Sequence, residues 1–135
     1  MATPQEVLAK VPLFSMLSKK DLERLASQAH DRTFPAGAVL SEEGETGVTF
    51  GVIVDGRAIV NVRGRSVRTL GPGDYFGEMA LIDRSSRSAG ITAETELHCL
   101  LFVSWAFRPF ALEHPESGWA LLEIMVQRVR EAESR

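Results

Sequence analysis

Glu78 and Arg87 stand nine residues apart in the stretch G71-P-G-D-Y-F-G-E-M-A-L-I-D-R-S-S-R-S-A-G-I91, a carboxylate and a guanidinium that one loop can fold onto a single ligand. Arg87 offers a rigid fork of donors that matches a pair of phosphate oxygens. Ser88, next to it, adds a hydroxyl that donates or accepts. Gly77 removes the side chain where the backbone bends, so amides can come close to an anion. Glu78, Met79 and Ala80 open a run of helical character, and free N–H groups at a helix start favour a phosphate. The pocket these residues imply takes an anion at Arg87 and the 77–80 amides. It presents Glu78 to donors such as a sugar hydroxyl.

Such a loop needs a scaffold, and the glycines outline one. Ten of the 11 glycines fall between Gly37 and Gly90, with Gly118 alone outside. Within that window A38-V-L-S41, V48-T-F-G-V-I-V54, A58-I-V-N-V62, V67-R-T-L70, I91-T-A93 and H98-C-L-L-F-V103 read as short strands between turn signals. Asp55-Gly56 is the strongest hairpin signal, and Gly64 is expected to turn the next one. Many short strands at this spacing point to a jelly roll or small barrel. Helices flank it. T3-P-Q-E6 fits a capping box with proline at the first helical position, and V11-P-L-F14 reads as a hydrophobic corner. Ser18 can start a second helix with Leu22, Leu25, Ala26 and Ala29 on one face. After Ser104, Pro109 argues for a kink, a break or an early helix start, and Pro115 suits the first turn of the last helix. In that helix Trp119, Leu122, Val126 and Val129 form one stripe, widened by Leu121 and Met125 and read as contacts with the roll.

The ordered combination F76-G-E-M-A-L-I followed by R87-S-A resembles the phosphate-binding cassette of the cyclic nucleotide-binding domain family. That family includes catabolite-activator-type regulators, regulatory subunits of cyclic-AMP-dependent protein kinase and cyclic-nucleotide-gated channels. The resemblance covers nearly the whole chain. It implies a mainly β fold with flanking helices: a β-roll, or double-stranded β-helix jelly roll, as one domain over 1–135. Its parts would be N-terminal helices at 1–32, a roll at 33–103 holding the cassette at 76–89, and C-terminal helices at 104–135. The implied ligand is cyclic AMP or cyclic GMP, held by Gly77, Glu78, Met79, Ala80, Arg87, Ser88 and Ala89, with no cofactor. Threonine after the cassette arginine tends to accompany cyclic-GMP preference in that family, so Ser88 inclines the reading to cyclic AMP. The family's last helix swings over the base. Arg128, Arg130 and Glu131 are the polar residues near its end, and Arg128 is favoured because a guanidinium stacks on an aromatic face. Gly51 stands where the family often has a large side chain, which suggests slack in the roll.

Other chemistries find little support in the chain. His30, His98 and His114 are in no metal-ligand spacing, and His98 and Cys99, adjacent on a strand, point to opposite faces. Asp74 and Asp83 flank the cassette, but phosphodiester hydrolysis wants a metal site or a positioned base. No phosphate loop of the nucleoside-triphosphatase kind is present. The expectation is a non-enzyme. A net charge of −3, from 15 basic and 18 acidic residues, gives no general attraction to nucleic acid or an anionic membrane. Arg63, Arg65 and Arg68 read as a solvated rim, and no helix-turn-helix is encoded. One cysteine, no apolar span of roughly 20 residues and no leader signal fit a cytoplasmic protein. The function expected is a sensor whose terminal helices report ligand to an unidentified effector. The alternatives are a ligand-independent β-roll interaction module, or a regulatory fragment of a transcription factor, kinase or channel.

Overall fold

The computed structural model describes residues 3–15, 17–41, 49–77, 89–103 and 107–134. The chain opens with α1 (Pro4–Ala9), whose expected capping box is present: the Thr3 hydroxyl accepts from the Glu6 N–H, and Glu6 accepts from the Thr3 N–H. A 3₁₀ turn at Pro12–Phe14 makes the hydrophobic corner, with Val11 and Phe14 buried. Ser18 then caps α2 (Lys19–Ser27) by accepting from the Asp21 N–H. Each of these features is settled within three or four residues of chain, which is why the sequence shows it.

Eight strands follow among the described residues: β1 (His30–Phe34), β2 (Val39–Ser41), β3 (Thr49–Asp55), β4 (Ala58–Val62), β5 (Arg65–Leu70), β6 (Tyr75–Phe76), β7 (Gly90–Ala93) and β8 (Leu97–Val103). They form two four-stranded sheets, ordered β1-β8-β3-β6 and β2-β7-β4-β5, with antiparallel pairing throughout the described residues. The mainly β architecture with flanking helices is therefore as expected. Two strands carry no sequence signal. β1 starts at His30, inside the stretch read as helical. Its first four side chains are exposed, so it shows no apolar period, and pairing with β8 alone makes it a strand. β6 is only two residues long.

The first sheet is covered on both faces. Phe50, Val52, Leu100 and Phe102 face a cluster with Val7, Leu8, Val11, Phe14, Leu25 and Leu121 of the helical segments. Ile53, Leu97 and Cys99 face the second sheet, against Ala58, Val60, Leu70, Ile91 and Ala93. Burial on both sides explains why β3 and β8 read as nearly continuous apolar runs. The hairpin expectations divide. Val62 pairs with Arg65 around Arg63 and Gly64, both at positive φ (53° and 77°), so that turn is a tight hairpin. Asp55-Gly56 is not a hairpin turn: β3 belongs to one sheet and β4 to the other. Gly56, at φ 93°, lies where a Cβ would come within 2.2 Å of the Glu96 carbonyl oxygen. The bend is wedged under the β7–β8 connection, and the Arg57 N–H donates to the Thr95 hydroxyl there.

α3 (Phe107–Glu113) and α4 (Pro115–Glu133) complete the described fold. Pro109 is the third residue of α3, the early-start option, and Pro115 opens α4. The stripe on α4 needs correction. Trp119, Leu122, Val126 and Val129 are 65%, 52%, 52% and 55% exposed, while Leu121 is buried and Ile124 and Met125 pack beside it. The apolar arc is wider than one face, and its Leu121 side is the one that meets the core.

Candidate functional site

The approach to the cassette is bound to β3. The Ile53 N–H donates to the Asp74 carbonyl oxygen (2.9 Å), and the Ile53 carbonyl oxygen accepts from the Gly73 N–H (2.8 Å). Asp74 closes its own turn, because one carboxylate oxygen accepts from the Gly71 N–H at 2.8 Å and its N–H donates to the Gly71 carbonyl. That carboxylate is committed to a turn. β6 then pairs Tyr75 with Val52 and Phe76 with Gly51. Alternation along the strand sends the two aromatics to opposite faces. Tyr75 leans on Phe50, ring centroids 5.9 Å apart, and Phe76 is buried between the sheets.

Gly77 follows at φ 79°, a left-handed conformation that suits glycine, and marks the bend expected of it. Glu78, Met79, Ala80, Arg87 and Ser88 lie outside the described residues, as does Asp83. Ala89 is half-buried against the same inter-sheet cluster, and Gly90, the first residue of β7, pairs with Asn61 of β4. Both ends of the cassette are therefore rooted in one core, Phe76 from the first sheet and Ala89 beside the second. Sequence reasoning passed over Tyr75 and Phe76 as anchors, since a two-residue strand has no period to detect.

Arg128 is half-buried on α4. Its spacing from Leu121, Ile124 and Met125 (seven, four and three residues) puts it on the packed face of the helix. Arg130 and Glu131, the other polar residues considered, are exposed. Cys99 is fully buried, and desolvation pushes its thiol up to about 12, so it stays protonated and unreactive near neutral pH. His98 is hydrogen-bonded to Asp31, and His114 lies 3.3 Å from Glu116 and 3.8 Å from Asp21. No group of three potential metal ligands comes together among the described residues.

The family model of the cyclic nucleotide-binding domain matches residues 31–114, more than half of the chain and all of the cassette. The chain belongs to the cyclic nucleotide-binding domain family. This cyclic nucleotide-binding domain is 35% identical, over 91% of its length, to a cyclic nucleotide-gated potassium channel of Rhizobium etli, of which it spans 34%. It is 36% identical, over 73% of its length, to the cAMP-dependent protein kinase regulatory subunit of Schizosaccharomyces pombe, spanning 24% of that protein. cGMP-dependent protein kinases also match. Among solved structures, the Thermus thermophilus catabolite activator protein superposes with a TM-score of 0.83 at 27% identity, covering 90% of this chain and 60% of that one. The chain thus spans about a third or less of the channel and kinase relatives it matches. No helix among its described residues is long and apolar enough to cross a membrane.

Proposed function

We propose that this domain binds one cyclic 3′,5′-mononucleotide, cyclic AMP in preference to cyclic GMP, and passes that event to an effector through its C-terminal helices. The observation that carries the reading is the rooting of both cassette ends, Phe76 and Ala89, in the inter-sheet core. A loop held at both ends in a packed interior can present amides and side chains in a fixed arrangement. Arg87 and the 77–80 amides take the phosphate, Glu78 the ribose 2′-hydroxyl, and Ser88 and Ala89 complete the cassette. The lean to cyclic AMP rests on Ser88. Binding, not turnover, is the role, and the effector is a kinase, channel or DNA-binding partner of the kinds the relatives suggest. Calorimetric titration of protein stripped of co-purified ligand is expected to give one site, tighter for cyclic AMP. Cyclic GMP binding tenfold tighter reverses the preference, and no heat with either nucleotide removes the reading.

The moving part is α4. α4 buries Ser117 and Leu121 and packs Ala120, Ile124 and Met125 beside them, whereas from Val126 onward it is exposed apart from Arg128, so its last turns are the weakly docked part. A helix end with so little packing opens locally at small free-energy cost. In this reading Arg128 adds a stacking contact of roughly 0.5–2 kcal/mol to a bound purine, enough to shift a nearly balanced equilibrium. Cyclic AMP is expected to raise amide hydrogen-exchange protection both in the cassette and along residues 119–131. Protection confined to the cassette would leave α4 uncoupled and Arg128 without a role.

A further inference from the structure

Gly51 interrupts an otherwise bulky strand, T49-F-G-V-I-V54, that is buried on both faces. Glycine in a strand interior weakens it and marks a bulge or a close approach. Here it is a close approach. A Cβ at position 51 would stand 2.2 Å from Cζ of Phe76 and 2.6 and 2.8 Å from its two Cε atoms. The ring of Phe76 lies across the bare backbone of its direct cross-strand partner, an aromatic covering a strand glycine. The large side chain absent from position 51 is thus supplied from β6, and the expected slack in the roll is filled.

The ring has nowhere else to go. Phe76 is 5% exposed and sits among Ile53, Leu70, Ile91 and Leu97. Among the described residues β6 pairs with β3 through two residue pairs, continued on the Tyr75 side by the Ile53 backbone bonds to Gly73 and Asp74, so at the cassette end the seated Phe76 ring is the last anchor described. Phe76 is the first residue of the cassette, and Gly77 follows it directly.

We infer that Gly51 is a positioning residue for the nucleotide site: it leaves the seat for Phe76, and the seated ring fixes where the chain stands at Gly77. Resting on the nucleotide-binding reading above, the inference adds a determinant of affinity that does not touch the ligand. Any side chain at position 51 must dislodge the ring, and a shortened residue 76 must make room for it.

The test is calorimetric titration of the full chain with cyclic AMP, at a temperature where circular dichroism shows each variant folded. Gly51→Ala is expected to bind about tenfold more weakly, about 1.4 kcal/mol. Phe76→Leu, which leaves part of the seat empty, is expected to lose about threefold. Adding Gly51→Ala to Phe76→Leu is expected to cost nothing further or to recover affinity, because the shorter side chain clears the new methyl. That comparison stands even where Gly51→Ala alone fails to fold. A folded Gly51→Ala protein that binds like wild type, or a double variant weaker than Phe76→Leu, overturns the inference. Wild-type protein that binds no cyclic nucleotide overturns the binding reading itself, and the inference falls with it.

Discussion

Arg87→Ala is expected to weaken cyclic-nucleotide binding by about 30-fold or more if, as proposed, Arg87 pairs with the phosphate charge. Truncating one member of a buried, hydrogen-bonded charge pair costs on the order of 2–5 kcal/mol, and about 2 kcal/mol already corresponds to roughly 30-fold in dissociation constant. The domain's net charge of −3 supplies no background attraction for an anion, so local donors must carry the binding. Arg87→Lys keeps the charge but loses the planar fork and is expected to fall between wild type and alanine. Titration calorimetry of the three forms with cyclic AMP provides the comparison. A loss of less than threefold in Arg87→Ala would take Arg87 away from the phosphate.

The second large effect is expected in the core. Phe50 is 1% exposed and touches three other rings: Phe14 edge-on at 6.1 Å, Tyr75 at 5.9 Å and Phe102 at 6.3 Å between centroids. These belong to the N-terminal corner, to β6 at the entrance of the cassette and to β8. Phe50→Ala removes the ring on which all three rest and leaves a cavity that the sheet can close only in part. Losses of about 3–5 kcal/mol are usual for such truncations. In a chain of this size that corresponds to roughly 10–20 °C in Tm. Urea unfolding followed by circular dichroism measures the stability directly, and an unchanged slope with denaturant would show that stability fell without a change in the surface exposed on unfolding. A loss below about 1 kcal/mol would mean that the cluster repacks around the gap. Nucleotide affinity is expected to fall as well, since Tyr75 leans on Phe50 while Phe76 enters the cassette.

Much of this protein could be read from the sequence because the deciding interactions are local. The caps at Thr3 and Ser18 are closed by residues three positions away. The Arg63-Gly64 turn needs only two residues able to take positive φ. The apolar runs of β3 and β8 announced strands, and their burial on both faces is the reason they show no alternation. The cassette was legible for another reason: glycine, glutamate and arginine at that spacing are a chemical pattern, and it stood out before any fold was known. What the sequence left open depends on contacts between residues far apart in the chain. β1 is a strand only because β8 lies beside it, and Asp55-Gly56 bends the chain between sheets because the β7–β8 connection sits over it. The α4 pattern declared an amphipathic helix, but an apolar arc does not say which part of it is covered, and the roll meets Leu121 rather than Trp119. Gly51 is the sharpest case. Its missing side chain looked like empty space in the sequence, and only the antiparallel register that sets Phe76 opposite it shows that the space is filled.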